Sequence, residues 1–399
     1  MNKMQTQLVR FLDSAIHNKK VEIDKNENIQ WEDLIEESKA HKIEALIYSA
    51  IKNNPIKNID KDLFESWKKD TFRSGVTQVN HINQVSNVLN IFNQNNIPVI
   101  VLKGLVVRDL FPNPTLRTMC DADILVKEKD LENVKKLLID MGYAEMPSSE
   151  KHLNFWRGYT HIEVHWTISD EGYFDNMPEI EESIWNDAVE VNVGNACALS
   201  MCDEDLALHL CIHMASHMID RGFGIRQVVD LVLLVEPKGH LIDWDSFMEK
   251  ARKCGVDKFT MAIFMVCKKL FNMDIPKQVY DSKLEKSKYI DILIDDIFSS
   301  GVHGKKDKAA VFAKELAYTD DNTSVFKRYL QFLFPKVENL DDKYNYAKKC
   351  KMFVPIAWIH HLFAGVFNKE YSLADKIKFG FGAMSISKKK NRLISWLEL

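Results

Sequence analysis

Residues 97–126 decide the fold, and their sequence is IPVIVLKGLVVRDLFPNPTLRTMCDADILV. The first six residues form a short apolar run rich in β-branched side chains, which predicts a buried strand. Lys103 and Gly104 end this strand, residues 105–110 suggest a short helix, and two prolines then mark a loop. Residues 120–126 predict a second strand. The stretch therefore reads as part of an α/β unit.

This α/β unit extends to about residue 200 and has helical sequence on both sides. A helix is predicted over residues 130–141 and a third strand over residues 159–168. Before it, apolar residues recur at helical spacing and a long polar helix is expected over residues 63–95. After it, helical periodicity returns at residue 203 and continues to the end. We therefore predict an N-terminal helical region (1–95), an α/β core (96–200) and a C-terminal helical domain (201–399).

Composition and charge narrow the class of protein. The 399 residues are 46% hydrophobic and 28% charged, with a formal net charge of -4. This is an ordinary globular composition, and without an overall positive field a long nucleic acid is not the expected partner. The seven cysteines include no Cys-x-x-Cys pair, which favours reduced thiols. The N-terminus does not resemble a signal peptide, and the most apolar run, residues 353–367, is too short for a membrane span. A cytoplasmic protein is expected.

Two aspartates in the second strand are the strongest chemical signal. Side chains alternate across a strand, so Asp121 and Asp123 point to one side while Ala122 and Ile124 point into a core. Carboxylates at this spacing repel each other unless a cation lies between them. Their hard oxygen atoms suit Mg²⁺ or Mn²⁺ better than Zn²⁺. An alternative is that the polar side of this strand simply faces water.

A third carboxylate on another strand strengthens the metal hypothesis. In residues 159–168, His161, Glu163 and His165 alternate with apolar residues. Glu163 could therefore join Asp121 and Asp123 from a neighbouring strand. Three carboxylates holding two metal ions are suited to in-line attack on an α-phosphate, and Glu163 could also serve as the base.

Several short motifs resemble the uncharacterised nucleotidyltransferase family, which belongs to the DNA polymerase β-like superfamily. The resemblance covers most of the chain. The motifs are LKG at 102–104, FPNP at 111–114, Arg117, DADILV at 121–126, GY at 142–143, EVHW at 163–166, and later pieces at 209–230, 334–335 and 355–358.

The resemblance implies an α+β fold with a small mixed β-sheet, the nucleotidyltransferase core, flanked by the helical regions. It implies a nucleoside triphosphate as donor and two Mg²⁺ ions held by Asp121, Asp123 and Glu163. In the wider superfamily a Gly-Ser pair contacts the triphosphate, and here Lys103 and Gly104 take its place, followed by Leu105. Glycine would let a phosphate approach the backbone, and lysine would add a positive charge.

Arg117 matches the family arginine and is assigned to phosphate binding, with a structural salt bridge as the alternative. His165 lies on the face of Glu163, where it would orient a carboxylate or contact the acceptor; the alternative is a packed histidine. His213 and Arg226 are candidates for the acceptor pocket. The acidic overall charge favours a small-molecule or protein acceptor.

Two other functions remain open on the sequence. A catalytically silent protein on the same fold would bind a nucleotide or a partner without transferring anything. A zinc hydrolase would use His209, His213 and His217, which fall at helical spacing on one face, but the glutamate of a zinc-protease helix is missing. A polar helix face packed against the core is the plainer interpretation of these histidines.

Overall fold

The described part of the chain covers most of the three predicted regions. In the computed structural model the described residues are 1–21, 23, 27–52, 59–147, 152–168, 174–220, 222–302, 334–337, 344–349, 351–366 and 388–399. The helical periodicity predicted across residues 303–333, 338–343 and 367–387 lies outside them.

The N-terminal region is helical, as predicted. Its described residues form α1 (Lys3–Ile16), α2 (Trp31–Ala40), α3 (Glu44–Ile51) and α4 (Lys61–Gln94). The start of α1 is fixed by Asn2, whose side chain accepts a hydrogen bond from the backbone N–H of Gln5. Asp60 caps α4 in the same way, through the N–H of Leu63. The apolar residues at helical spacing in α1 include Leu8 and Leu12, which are fully buried.

A seven-stranded mixed sheet forms the core. The strands are β1 (Val99–Val101), β2 (Asp121–Val126), β3 (Ala144–Met146), β4 (His152–Arg157), β5 (Thr160–His165), β6 (Val189–Val193) and β7 (Ala196–Ser200). Their order is β3-β4-β5-β2-β1-β7-β6. The pairs β2–β5 and β1–β7 are parallel and the other four are antiparallel. The three predicted strands are confirmed, and β3, β4, β6 and β7 were not predicted.

The described residues of the sheet region also form α5 (Gly104–Val107), α6 (Leu131–Asp140) and α7 (Met177–Asn186). The predicted helix over residues 105–110 is confirmed as α5 followed by one 3₁₀ turn, Arg108–Leu110. Gly142 follows α6 with φ of 83°, a left-handed conformation that glycine adopts without strain.

The C-terminal region is again helical. It contains α8 (Asp203–Asp220), α9 (Ile225–Lys238), α10 (Trp244–Lys253), α11 (Asp257–Phe271), α12 (Ser282–Glu285), α13 (Lys288–Ser300), α14 (Asn345–Lys349), α15 (Val354–Val366) and α16 (388–397). The three carboxylates of the first turn of α8 favour a helix N-terminus. The prediction of an α+β fold, a mixed sheet flanked by helical regions, is confirmed.

The two faces of the sheet pack into different hydrophobic clusters. Val101, Ile124 and Val164 join residues of α4 and α6 on one face. Ile100 and Leu125 point to the opposite face and belong to a larger cluster that also contains α1–α3 and α8–α13. The odd-numbered residues of β2 therefore face the side of the C-terminal helices.

None of the helices in the described ranges is both long and apolar enough to cross a membrane.

Candidate active site

Strand register brings the three predicted carboxylates together. In the parallel pair β2–β5, Asp123 lies opposite Glu163 and Asp121 lies opposite His161. Burial alternates along the whole of β5 and over the first four residues of β2, as expected for one apolar and one polar face. Because side chains opposite each other on neighbouring strands are adjacent, one polar patch forms from Asp121, Asp123, His161, Glu163 and His165.

Asp123 is held by two basic side chains. Nε2 of His165 lies 3.0 Å from its Oδ1, and Nζ of Lys103 lies 3.5 Å from the same atom. Burial alone would raise the pKa of Asp123, but the Lys103 ammonium and the hydrogen bond from His165 hold it well below its usual value. The pKa of His165 is raised: burial opposes this, and the hydrogen bonds to Asp123 and Glu163 outweigh it. The carboxylate of Asp123 is therefore ionised near neutral pH.

Asp121 differs from Asp123 in both its contacts and its pKa. Among the described residues, no side chain forms a hydrogen bond or ion pair with its carboxylate. Burial, together with the charges of Asp123 and Glu163, raises its pKa to about 6. The guanidinium of Arg226 opposes this rise without forming an ion pair. A carboxylate under this repulsion gains most from a cation between it and its neighbours.

Glu163 faces one histidine with each of its oxygens. Oε1 lies 3.7 Å from Nε2 of His161, and Oε2 lies 3.6 Å from Nε2 of His165. Two groups of ligand atoms each lie within 4.8 Å of one another: Asp121, His161 and Glu163, and Asp123, Glu163 and His165. The donor set thus fits divalent cations, because it offers anionic oxygens that lack enough protein donors to balance them.

A strained turn carries Lys103 to this face. Lys103 has φ of 43° and ψ of -108°, unusual for a residue with a side chain. Just before it, the backbone N–H of Leu102 donates to the carbonyl of Asp123 at 3.0 Å, which fixes the turn against β2. Leu105, in the place of the superfamily serine, is 2% exposed and packs into the cluster with α4. Its side chain contributes to the core.

Gly104 is required by packing. A Cβ at this position would lie 2.8 Å from Sδ of Met119 and closer still to Nη1 of Arg117. Glycine therefore lets the turn after β1 approach the Arg117 side chain, a requirement that does not depend on any bound phosphate.

Arg117 forms a buried ion pair with Asp230 of α9. Its Nε and Nη2 donate to the two carboxylate oxygens at 2.8 and 2.7 Å, and the two side chains are 6% and 2% exposed. Burial would lower the pKa of Arg117, but Asp230 raises it. This is the salt-bridge alternative considered for Arg117. Its assignment to phosphate binding stays a prediction.

Helix α8 presents its histidines toward the same side. The pKa of His213 is well below its usual value because of burial and the nearby Lys103 ammonium. Burial, followed by the same ammonium, lowers the pKa of His209 to about 3, and neither ring nitrogen has a hydrogen-bond partner in the described chain. Nε2 of His213 lies 3.1 Å from Nε2 of His217. The three-ligand groups found among the described residues contain none of these α8 histidines, so the zinc-hydrolase hypothesis gains no support.

Arg226 of α9 reaches the loop before β2. Its Nη1 donates to the carbonyl oxygen of Thr118 at 2.5 Å, while its Nε is buried without a partner among the described residues. The site thus brings Arg226 near Asp121, and it brings His213 near Lys103 and Asp123.

Two side chains beside Glu163, those of His161 and Asn154, were given no role from the sequence. His161 lies on the predicted polar face, and its Nε2 contacts Oδ1 of Asn154 at 2.9 Å. Asn154 lies opposite Glu163 on β4, and the ring of Trp156 stacks on His161 at 4.4 Å. The alternation of polar and apolar residues from His152 to Phe155 was the signal that could have revealed β4.

Comparison with known proteins shows one matching family. The model of a family described as an uncharacterised nucleotidyltransferase matches residues 27–272, more than half of the chain. This span contains the whole sheet, α8 and α9. No curated protein matches.

Solved structures with a similar arrangement include two of the antibiotic-resistance factor ANT(2'')-Ia. Its solution structure has a TM-score of 0.32 and 10% identity, covering 41% of this chain and 87% of that chain. Its crystal structure with adenylyl-2''-tobramycin has a TM-score of 0.33 and 12% identity, covering 46% and 96%. An antigenic nucleotidyltransferase-like protein from Paracoccidioides brasiliensis has a TM-score of 0.29 and 12% identity, covering 39% and 76%.

Proposed function

Because the chain belongs to the uncharacterised nucleotidyltransferase family, we propose that it uses divalent metal ions to transfer a nucleoside monophosphate from a nucleoside triphosphate to a hydroxyl or phosphate acceptor, releasing pyrophosphate. The observation that carries this proposal is the meeting of Asp121, Asp123 and Glu163 on one face of β2 and β5. A nucleotidyltransferase needs such a group of carboxylates beside a site for the triphosphate.

The three carboxylates would hold Mg²⁺ or Mn²⁺. When bound, these ions supply positive charge at the α-phosphate and at the leaving pyrophosphate. The fit is supported by Asp121, whose carboxylate has no protein donor among the described residues and whose pKa is raised to about 6 by burial and by its acidic neighbours. Asp123, already ionised beside Lys103, supplies the complementary negative charge.

In the proposed reaction the acceptor oxygen attacks the α-phosphorus in line with the bond to the β-phosphate. That bond breaks and its electron pair leaves with pyrophosphate. The proton of an acceptor hydroxyl passes to a carboxylate at the same face, for which Glu163 is the proposed base.

Lys103, Gly104 and Arg117 are proposed to bind the triphosphate, and Lys103 has the most direct support. Its ammonium lies 3.5 Å from Asp123 and its side chain is 17% exposed, so the ammonium can exchange that weak contact for a phosphate oxygen. For Arg117, two of the three guanidinium nitrogens already bind Asp230. Arg117 would therefore contribute a fixed positive charge near Asp121 and Asp123.

His165, His213 and Arg226 are proposed to line the acceptor pocket. The support is their position around Asp123 and Asp121, and the unpartnered Nε of Arg226. The net charge of -4 favours a small-molecule or protein acceptor and makes a long nucleic acid an unfavourable partner.

The free thiols among the described cysteines support a reducing compartment, the cytoplasm.

A pyrophosphate-release screen tests the proposal. Each nucleoside triphosphate is combined with Mg²⁺ or Mn²⁺ and with small-molecule acceptors, and the double variant Asp121→Asn with Asp123→Asn is compared with the wild type. We expect release to fall by at least about 10³-fold in the variant, since both carboxylates act at the transition state. The matched control changes two exposed aspartates, Asp62→Asn with Asp140→Asn, and should keep wild-type release.

Release that survives in the site variant would refute the catalytic proposal. Triphosphate binding without release, for every donor and acceptor, would favour the alternative of a catalytically silent binding protein.

A further inference from the structure

We propose that the metal centre is a mixed carboxylate–imidazole site, in which His161 and His165 each complete one of two cation positions that share Glu163, so that the protein binds Mn²⁺ in preference to Mg²⁺. This inference rests on the proposed function, because it concerns the same site. It assigns the two histidines as metal ligands and thereby selects between two metals that the three carboxylates alone would accept.

The strand register separates the ligands into two sets. Asp121 lies opposite His161 across the parallel pair, and Asp123 lies opposite Glu163. His165 follows Glu163 by two residues, and its Nε2 contacts Asp123 at 3.0 Å. Asp121 and His161 therefore lie on one side of Glu163 along the strands, Asp123 lies beside it, and His165 lies on the other side.

Glu163 is placed to serve both sets. One of its oxygens faces Nε2 of His161 at 3.7 Å, and the other faces Nε2 of His165 at 3.6 Å. Two ligand atoms on one cation, each about 2.1 Å from it, lie about 3–4 Å apart. In each set the three candidate atoms already lie within 4.8 Å of one another. Small side-chain rotations are therefore enough to close each set around an ion.

The imidazole rings of His161 and His165 each pack against an aromatic ring of β4 that is not itself a proposed ligand. Trp156 stacks on the ring of His161 at 4.4 Å, with an angle of 17° between the planes. The ring of His152 lies 5.1 Å from that of His165. His161 would give up its contact with Asn154 on binding an ion, exchanging a neutral hydrogen bond for a charged ligand bond. Stacking neighbours that hold a ligand ring reduce the ordering cost of metal binding.

The electrostatic state of the carboxylates supports two ions over one. Asp121 lacks a protein donor in the described part of the chain, whereas Asp123 is contacted by Lys103 and His165. A single cation beside Asp123 would leave the charge of Asp121 unbalanced. A second position formed with His161 balances it.

Nitrogen ligands change the choice of metal. Mg²⁺ demands a near-ideal octahedron and keeps several waters, so it takes a nitrogen ligand less readily than Mn²⁺, a first-row transition ion, does. Two imidazoles in the ligand set should therefore favour Mn²⁺. Removal of each histidine should weaken that preference.

The test uses the full chain and Mn²⁺ alone as the probe. Pulsed electron paramagnetic resonance of bound Mn²⁺ detects coupling to directly bound ¹⁴N, and calorimetry gives the number and affinity of Mn²⁺ and Mg²⁺ ions. The variants are His161→Gln and His165→Gln. The matched control is His240→Gln, which changes an exposed histidine outside the site.

We expect two Mn²⁺ ions per chain, ¹⁴N coupling in the wild type, and Mn²⁺ affinity at least about tenfold above that for Mg²⁺. Each site variant should lose part of the ¹⁴N coupling and weaken one Mn²⁺ equivalent by about 10–100-fold. The His240→Gln variant should match the wild type. The inference is overturned if the wild type shows no ¹⁴N coupling, if it binds the two metals equally, or if either site variant leaves coupling and affinity unchanged.

Failure of this inference is distinguishable from failure of the proposed function. Transfer of a nucleoside monophosphate without ¹⁴N coupling would overturn only the ligand assignment. Mn²⁺ bound through nitrogen, in a protein that releases no pyrophosphate with any donor and acceptor, would overturn only the transfer reaction.

Discussion

Replacing Asp230 by asparagine removes the charge that balances buried Arg117. The pair has two charge-assisted hydrogen bonds of 2.7 and 2.8 Å, and its side chains are 6% and 2% exposed. Leaving one member of such a pair unbalanced costs about 3–5 kcal/mol. Asparagine keeps one acceptor oxygen, so we expect Asp230→Asn to lower the free energy of unfolding by about 3 kcal/mol.

The assay is urea unfolding followed by tryptophan fluorescence at pH 7. As a matched control, Glu179→Gln breaks the exposed pair with Lys253, whose side chains are 64% and 41% exposed, and should change stability by less than about 1 kcal/mol. Replacing both members of the buried pair, Arg117→Met with Asp230→Leu, should restore most of the loss. If Asp230→Asn costs no more than Glu179→Gln, the structural role assigned to the pair is wrong.

Two further predictions concern stability. Gly104→Ala should destabilise the protein by about 1–3 kcal/mol through the close approach of the new Cβ to Met119 and Arg117. Gly75→Ala should be neutral or stabilising, because its Cβ would make only an ordinary contact with Thr115. Equal urea midpoints for the two variants would contradict the packing argument. The pKa of His209 is about 3 when folded, below its ordinary 6.5, so the unfolded chain protonates first and the stability present above pH 6.5 declines as pH falls toward 3. Between pH 7 and pH 5 the wild type should therefore lose about 2 kcal/mol more than His209→Leu, and a parallel decline in both proteins would refute this.

The site face could be predicted because strand alternation is a local property. Placing Asp121 on the same side as Asp123 requires only that residues 120–126 form a strand, and the same holds for His161, Glu163 and His165. The sequence also indicated that the first strand ends just before Lys103. These inferences depend on residues close together in the chain.

Contacts between distant parts of the chain could not be predicted in this way. Nothing near Arg117 indicates that its partner is Asp230, 113 residues later. The apolar stripe of α1 shows that a helix needs a partner but does not show that the partner cluster includes α8–α13. Strand β4 was missed as well, so Asn154 was not placed beside His161.

Calorimetric titration of a nucleoside triphosphate, with and without a divalent ion, tests most directly whether Asp121 and Asp123 form a metal-dependent nucleotide site. We predict saturable binding by the wild type only when Mn²⁺ or Mg²⁺ is present, and binding at least about 100-fold weaker in the double variant Asp121→Asn with Asp123→Asn. Binding of equal strength without the ion, unchanged binding by the double variant, or no binding of any triphosphate would contradict that prediction.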